Sequence, residues 1–338
     1  MKLLRLITTG IRGLADRTHD FTDARTGAPL DVAIVTGPAS SGKTSLLAAI
    51  AAAKEAVGRY GAPLDPSRFR RRGSRAASIT ATWLLSEPER TEAGLDHAQQ
   101  TATWDLGRGN VCADADPRLR KLFARFSCAP DHGKLEYFPA SRRVITRAAF
   151  PRPRASEAAE ARLRATSDPD KYADLVPALG ELARDDAAQL TRLVADRGIA
   201  LRSLAPSSLT AYKNAVATML PDLRLSEVES GERGPVVRFI RRDRTVLTLD
   251  ELSASEQQGA LFALAFRRYG LDGSLVLIDE PELHVHAADR VRFLQAIVTL
   301  GRDNQVIAAT GSAEMVTAAS PWQIVDLSRP APALRAAG

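Results

Sequence analysis

The sequence predicts an α/β fold with a mainly parallel sheet core, an antiparallel β subdomain and a short helical insertion. Three observations carry this expectation. From residue 253 onward the pattern reads helix (253–269), apolar strand (274–279), helix (286–300), strand (304–310), short helix and final strand (323–327). That alternation calls for a mainly parallel sheet with helices on its faces. Near the N-terminus, the apolar run "LDVAIVTG" ends in glycine and leads into the helix-forming "TSLLAAIAAAKEAVGRY". Between these ends, residues 76–106 hold two strand-like runs, "ASITATWLL" and "QQTATWDL", joined by an acidic polar loop, which reads as an antiparallel pair.

The remaining elements follow in order. "MKLLRLITT" opens the chain as a strand, and the helix from Thr44 to Tyr60 stops at Gly61-Ala62-Pro63. "KLEYFPASRR" reads as a strand followed by a turn. From about Pro153 to Leu220, alanine, leucine, arginine and glutamate dominate, with breaks at "TSDPD", "RGIA" and "APSS". Two helices of ~25 residues would reach only ~40 Å, so this insertion is too short for a long coiled-coil arm. "VVRFIRRDRTVLTL" then looks like a hairpin, and "SRPAPALRAAG" reads as a disordered tail over 328–338.

A chain of 338 residues can bury a sizeable core, and 45% hydrophobic with 25% charged residues is ordinary for a soluble globular protein. The longest apolar runs, such as "SLLAAIAAA", are far too short to span a bilayer, and the N-terminus lacks a signal-peptide pattern. Cys112 and Cys128 are the only cysteines and have no metal-like spacing, which fits a reduced, cytoplasmic setting without disulfides. The net charge of +6 is modest, but "SRFRRRGSR" gathers Arg68, Arg70, Arg71, Arg72 and Arg75 around Gly73. Two readings stay open for this stretch: a solvated loop, or a contact to a nucleic-acid phosphate backbone.

Gly37-Pro38-Ala39-Ser40-Ser41-Gly42-Lys43-Thr44 matches G-x-x-x-x-G-K-[ST], with an apolar strand before it and a helix, continuing through Ser45, after it. Glycines there let backbone N–H groups turn inward around phosphates, and the helix N-terminus adds a favourable field. Lys43 would reach the β and γ phosphates of ATP, and the Thr44 hydroxyl would ligate Mg²⁺. In "SLVLIDEPELHVH", an apolar strand delivers Asp279 and Glu280 to its C-terminal edge, where open α/β sheets bind ligands. Asp279 suits the metal, and Glu280 suits a general base on the attacking water. In "LDELSASEQQGALFALAFRR", Ser253 and Glu256 form a capping box, so a helix starts there. His284 and His286 form an H-x-H whose structural or interface use outweighs metal ligation, because no third ligand is placed for it.

The order of phosphate loop, L-S-x-x-E at a helix start and hhhhDEPExHxH resembles the ATP-binding-cassette superfamily. Within it the chain looks most like the soluble OLD-like ATPases of the AAA_15 and AAA_21 kind, relatives of DNA-repair and chromosome-structure ATPases. "YFPASR" and the stretch from Pro206 to Glu229 add to the likeness. The resemblance implies one bilobed P-loop head over 1–327, with lobe I at about 1–150, the insertion at about 153–220 and lobe II at about 221–327. It also implies that two heads sandwich two ATP molecules. Lys43, Thr44, Asp279 and Glu280 would act from one subunit, with Ser253 and Glu256 presented by its twin.

The expected products of this resemblance are a slow ATPase, a homodimer or higher oligomer, an effector protein as partner, contact with DNA, and work in DNA repair or anti-phage defence. Arg142 and Arg143 would report on nucleotide or hold the lobes together. Two departures bear on turnover. Ser255 stands where the family signature has a glycine, and Gly311 stands where the family has its switch histidine, leaving Ser312 or a water to substitute. Gln99 and Gln100 are candidates for the lobe-linking glutamine. An ATP-sensing scaffold with little hydrolysis is the contrasting reading, and a transporter's energising subunit a third.

Overall fold

The computed structural model describes residues 1–328 apart from 63, 108–110, 146–155, 169, 198–206 and 232–233. The expected start of the insertion at Pro153, most of its "RGIA" break, part of its "APSS" break and nearly all of the tail therefore lie outside the described residues.

The chain opens with strand β1 (Lys2–Thr9) and a short β2 (Arg17–Asp20), then β3 (Val32–Thr36), helix α1 (Lys43–Val57) and strand β4 (Ser78–Leu84). Helix α2 (Glu87–Ala93) separates β4 from β5 (Gln99–Asp105), and α3 (Pro117–Ala124) and β6 (Leu135–Phe138) follow. Strands β2-β1-β4-β5 form one antiparallel sheet, as expected for the 76–106 pair. The connection read as a polar loop contains α2 because Ser86 and Glu89 make a reciprocal capping box, a helix start written in "SEPE".

The insertion supplies α4 (Glu157–Arg164), α5 (Leu175–Arg197) and α6 (Thr210–Met219). At about 1.5 Å per residue α5 is roughly 35 Å long, within the reach read from the sequence. Strands β7 (Leu223–Gly231), β8 (Gly234–Arg241) and β9 (Val246–Thr248) make a second antiparallel sheet; its β8–β9 hairpin was expected, while β7 was not. The last quarter of the chain alternates as the sequence dictates: α7 (Ala254–Arg268), β10 (Leu275–Asp279), α8 (Arg290–Thr299), β11 (Gln305–Ala309), α9 (Ala313–Ala318) and β12 (Ile324–Asp326).

The core is a five-stranded parallel sheet of order β12-β3-β11-β10-β6. Its central strands read "LVLID" and "QVIAA" with every residue buried, as strands covered on both faces must. Side-chain alternation divides their apolar residues between two faces. Val35, Leu275, Leu277, Ile307 and Ala309 face a core shared with α1 and the first antiparallel sheet, where Trp83 and Trp104 are fully buried. Val276, Ile278 and Val306 face a second core built with α5, α6, α7 and α8. Helix α1 is thus covered on several sides, which explains why "LLAAIAAA" is apolar all round and not striped. Truncating Trp83 or Trp104 to alanine would cost about 3–5 kcal/mol.

Two polar ties link these layers. Gln305 on β11 accepts from the Leu3 N–H at 2.6 Å and donates to the Leu3 carbonyl at 2.9 Å, imitating a peptide group between the parallel and antiparallel sheets. Glu136 on β6, wholly buried, meets Lys171 at 3.0 Å and Arg164 at 3.6 Å, both from the insertion, and accepts from the Tyr172 hydroxyl at 2.9 Å. Burial pulls the Lys171 ammonium down to about 8, with the Glu136 charge working against that shift.

Candidate nucleotide site

Register places the site. Val35 of β3 pairs with Ala309 of β11, and Ala309 pairs with Asp279 of β10, so the three C-terminal strand ends lie side by side. Two strand spacings, about 10 Å, therefore separate the loop after β3 from the acidic turn after β10.

The loop from Gly37 to Gly42 has a backbone that few side chains permit. Gly37 has φ 148°, Ser40 φ 62° and Gly42 φ 96°. A Cβ on Gly42 would stand 2.1 Å from the Gly13 carbonyl oxygen, so glycine is required there twice over, by conformation and by space. Pro38, Ala39 and Ser40 are exposed, and the Ser41 Oγ is buried without a hydrogen-bond partner. Lys43 Nζ donates to the carbonyls of Gly37 at 2.9 Å and Pro38 at 3.0 Å, which curls it over the loop. Ser45 packs beside Gly13, where a Cβ would come within 2.7 Å of the Ser45 hydroxyl.

Thr44 Oγ1 donates to the Asp279 carboxylate at 2.9 and 3.2 Å, joining the first turn of α1 to the end of β10. Asp279 is buried, and burial raises its pKa, opposed by the Thr44 hydrogen bond and reinforced by the Glu280 charge. A buried carboxylate met by a hydroxyl is a group that a divalent cation would stabilise strongly, so these residues fit Mg²⁺. Glu280, by contrast, is exposed and adopts φ 50°, an unusual conformation for a residue with a side chain.

Arg142 is where the structure adds most to the sequence reading. It is buried, and its guanidinium donates to the carbonyls of Asp279 at 2.6 Å, Glu280 at 2.9 Å and Pro139 at 3.2 Å. Burial brings its pKa down to about 10. Arg143, its neighbour, is exposed and pairs with Asp170 at 3.2 Å.

The loop after β11 is arranged differently. Gly311 N–H donates to Glu282 Oε1 at 2.9 Å, while the other oxygen of Glu282 is buried with no hydrogen-bond partner. Ser312 is buried and caps α9: it accepts from Met315 N–H at 3.4 Å and donates to Glu314 at 2.6 Å. Its hydroxyl is committed to that cap, which argues against the expectation that Ser312 substitutes for the histidine.

Ser253 is exposed at the N-cap of α7, in a complete capping box with Glu256, and Glu256 also takes Arg241 at 2.8 Å. His284 sits exposed at φ 65°, and His286 caps the short 3-10 turn Ala287–Asp289. Among the described residues no three His, Cys, Asp or Glu side chains gather as metal ligands. Of the two glutamines read as lobe-linking candidates, Gln100 donates to the His97 carbonyl within its own hairpin and Gln99 is exposed; the tie between the parallel and first antiparallel sheets is made by Gln305.

Arg70, Arg71, Arg72 and Arg75 of "SRFRRRGSR" line a groove of about 840 Å³ together with Arg12, while Arg68 lies outside its lining. Within it Arg71 is engaged by Asp16 at 2.8 Å and the Leu14 carbonyl, and Arg70 by the Ser74 carbonyl at 2.8 Å, while Arg72 and Arg75 are exposed. Arg68 lies 3.8 Å from Asp65.

A glycine-bound loop after a parallel strand, with a Thr–Asp contact across to the end of the next strand but one, defines an ABC-like P-loop ATPase head. The chain belongs to the AAA_21 family, described as "AAA domain, putative AbiEii toxin, Type IV TA system", whose family model matches residues 137–316. Among solved structures it is similar to an Smc head bound to the C-winged helix domain of ScpA, at 13% identity and TM-score 0.53, covering 96% of this chain and 94% of that one. An Smc head with an extended coiled coil, bound to the C-terminal domain of ScpA derived from Pyrococcus furiosus, matches at 13% identity and TM-score 0.50, over 96% and 93%. The likeness is one of fold, shared with heads of chromosome-structure ATPases. No curated protein sequence matches the chain. Among the described residues no helix is long and apolar enough to cross a membrane.

Proposed function

We propose that this head binds ATP with Mg²⁺, hydrolyses it slowly, and uses the bound state to clasp a second copy as a switch for an effector protein. The observation that carries the reading is the glycine-bound loop joined to Asp279 through Thr44. Lys43, with backbone N–H groups of the loop after β3 and of the first turn of α1, holds the β and γ phosphates, and Thr44 with Asp279 holds the metal. Mg²⁺, when bound, neutralises phosphate charge. Glu280 takes the proton of a water whose oxygen attacks the γ phosphorus; the bond to the β-phosphate oxygen breaks, and ADP leaves with the electron pair. The exposed start of α7, capped by Ser253 and Glu256, would meet a triphosphate held by the partner, with the Ser253 hydroxyl turning from its bond to Glu256 toward the phosphate.

Slow turnover follows from the loop after β11, where Gly311 offers no imidazole and the Ser312 hydroxyl is spent on a cap. An ATP-sensing scaffold is favoured by that same observation, and the exposed, intact Glu280 favours the enzyme. A single experiment separates them: phosphate release and solution mass, with and without Mg·ATP, for the wild type and Glu280→Gln. The switch reading expects slow release that Glu280→Gln lowers ~10²–10⁴-fold, with a doubled mass when ATP is present. Doubling without any release would favour the scaffold; neither doubling nor release would sink both.

The arginine groove favours a DNA contact, as work in anti-phage defence or DNA repair would need, and the family description, a putative toxin of a type IV TA system, favours action with a partner. A duplex held by the groove would lose affinity with a log–log salt slope of about −0.9 per phosphate neutralised, and Arg72→Ala with Arg75→Ala would flatten that slope.

A further inference from the structure

Glu280 is held in its left-handed conformation from both sides. Its N–H donates to the Ala309 carbonyl at 2.9 Å, and its own carbonyl accepts from Arg142 at 2.9 Å. A residue with a Cβ is strained in such a backbone and keeps it only where its surroundings leave no alternative. β11 supplies one of those restraints as ordinary strand-end pairing. The other comes from a side chain 138 residues away in sequence, at the turn after β6.

Arg142 is an expensive way to fill that space. A buried guanidinium costs several kcal/mol unless it is well paired, and an apolar side chain would pack there more cheaply. Here the partners are three backbone carbonyls, two of them on consecutive residues, Asp279 and Glu280. A planar fork holds two adjacent carbonyls from two separate nitrogens at a fixed spacing. A lysine ammonium can meet two carbonyls, as Lys43 does, but from a single point on a flexible stem that does not fix their spacing. The grip therefore fixes the peptide between the metal-side carboxylate and the water-side carboxylate, and leaves both side chains free.

The far side of the guanidinium rests on α7. It lies 5.1 Å over the Phe262 ring, and Gln258 of the same helix donates to the Arg142 carbonyl at 3.5 Å. Helix α7 is the one that begins at Ser253. Arg142 thus stands between the acidic turn of the site and the helix whose exposed start faces outward.

We infer that Arg142 is the positioning residue of the acidic turn: braced on α7, it sets the Asp279–Glu280 peptide and through it the direction of the Glu280 carboxylate. This deepens the ATPase reading above and rests on it. The test uses Arg142→Lys and the milder Phe262→Leu, which keeps the core apolar, alongside wild type and Glu280→Gln. Arg142→Lys is expected to lower kcat at least tenfold and Phe262→Leu about threefold, with KM and ATP affinity within threefold of wild type. In the Glu280→Gln background Arg142→Lys should add no further loss, because it acts through that residue. Amide hydrogen exchange over residues 275–284 should speed up in Arg142→Lys without nucleotide.

Unchanged exchange, or losses that multiply in the double variant, would overturn the assignment. If Arg142→Lys fails to fold, Phe262→Leu carries the decision by the same two readouts, with unchanged kcat and unchanged exchange counting against the idea. A wild type that binds ATP but releases no phosphate would defeat the ATPase reading instead, and exchange alone then decides on Arg142.

Discussion

Two loops leave neighbouring strands at the same edge of the parallel sheet, and each contains a glycine, yet the two glycines are there for opposite reasons. Gly42, in the loop after β3, sits at φ 96° with no room for a Cβ. Gly311, just after β11, has nothing within 4 Å of where a Cβ would be, and its backbone is not among those with positive φ. The first loop leaves the buried Ser41 hydroxyl without a hydrogen-bond partner and curls its lysine over the loop's own carbonyls. The second has its Gly311 N–H taken by one oxygen of Glu282, whose other oxygen stays unpartnered, and a serine cap on the helix that follows. One loop demands glycine; the other merely contains it.

Substitutions can break this contrast, and the largest effect is expected in the first loop. Gly42→Ala should weaken ATP binding at least ~1,000-fold, about 4 kcal/mol, in an equilibrium binding measurement. Wild-type affinity in that variant would mean the loop is looser than its backbone angles suggest. Glu282→Ala comes next, because it strips a charge-assisted hydrogen bond from Gly311 and should cost about 1–2 kcal/mol of stability in urea unfolding. Glu282→Gln keeps an acceptor and should cost less than half as much. Ser312→Ala removes the α9 cap and should cost about 1 kcal/mol. The smallest change in stability is expected for Gly311→His, within about 0.5 kcal/mol, since a side chain there meets open space. That variant should nonetheless raise phosphate release several-fold if the missing imidazole is what slows the site; no change in rate would remove Gly311 from the account of turnover.

The sequence was most legible where local pattern and chemistry coincide. The phosphate loop, the apolar strand ending in Asp279-Glu280 and the capped start of α7 were all readable, because each motif is short and its flanking elements are strongly periodic. The parallel sheet followed from the alternation of helices with apolar strands, whereas β6, "LEYF" with Glu136 inside it, was readable as a strand but not as a member of that sheet. Strand β7 was missed because "LRLSEVESG" alternates only weakly after its first leucines, although it pairs along the whole of β8. Helix α2 was written in a capping box that went unread beneath an acidic composition. Arg142 could be noticed but not assigned, since its partners lie at residues 139, 279 and 280 and nothing local distinguishes a buried arginine from an exposed one like Arg143. Gln305 escaped for the same reason: a polar residue opening a buried strand declares its partner, Leu3, only once the sheets are assembled.

The anchoring of α4 and the start of α5 on Glu136 limits how far this head could be pared down. Excising residues 157–175 would remove Arg164, Lys171 and Tyr172 together and strand a carboxylate in the sheet's interior, a penalty of about 3–5 kcal/mol. A shortened head would fold only if position 136 were made apolar in the same step, so lineages that gain or shed this segment should change the two places in concert.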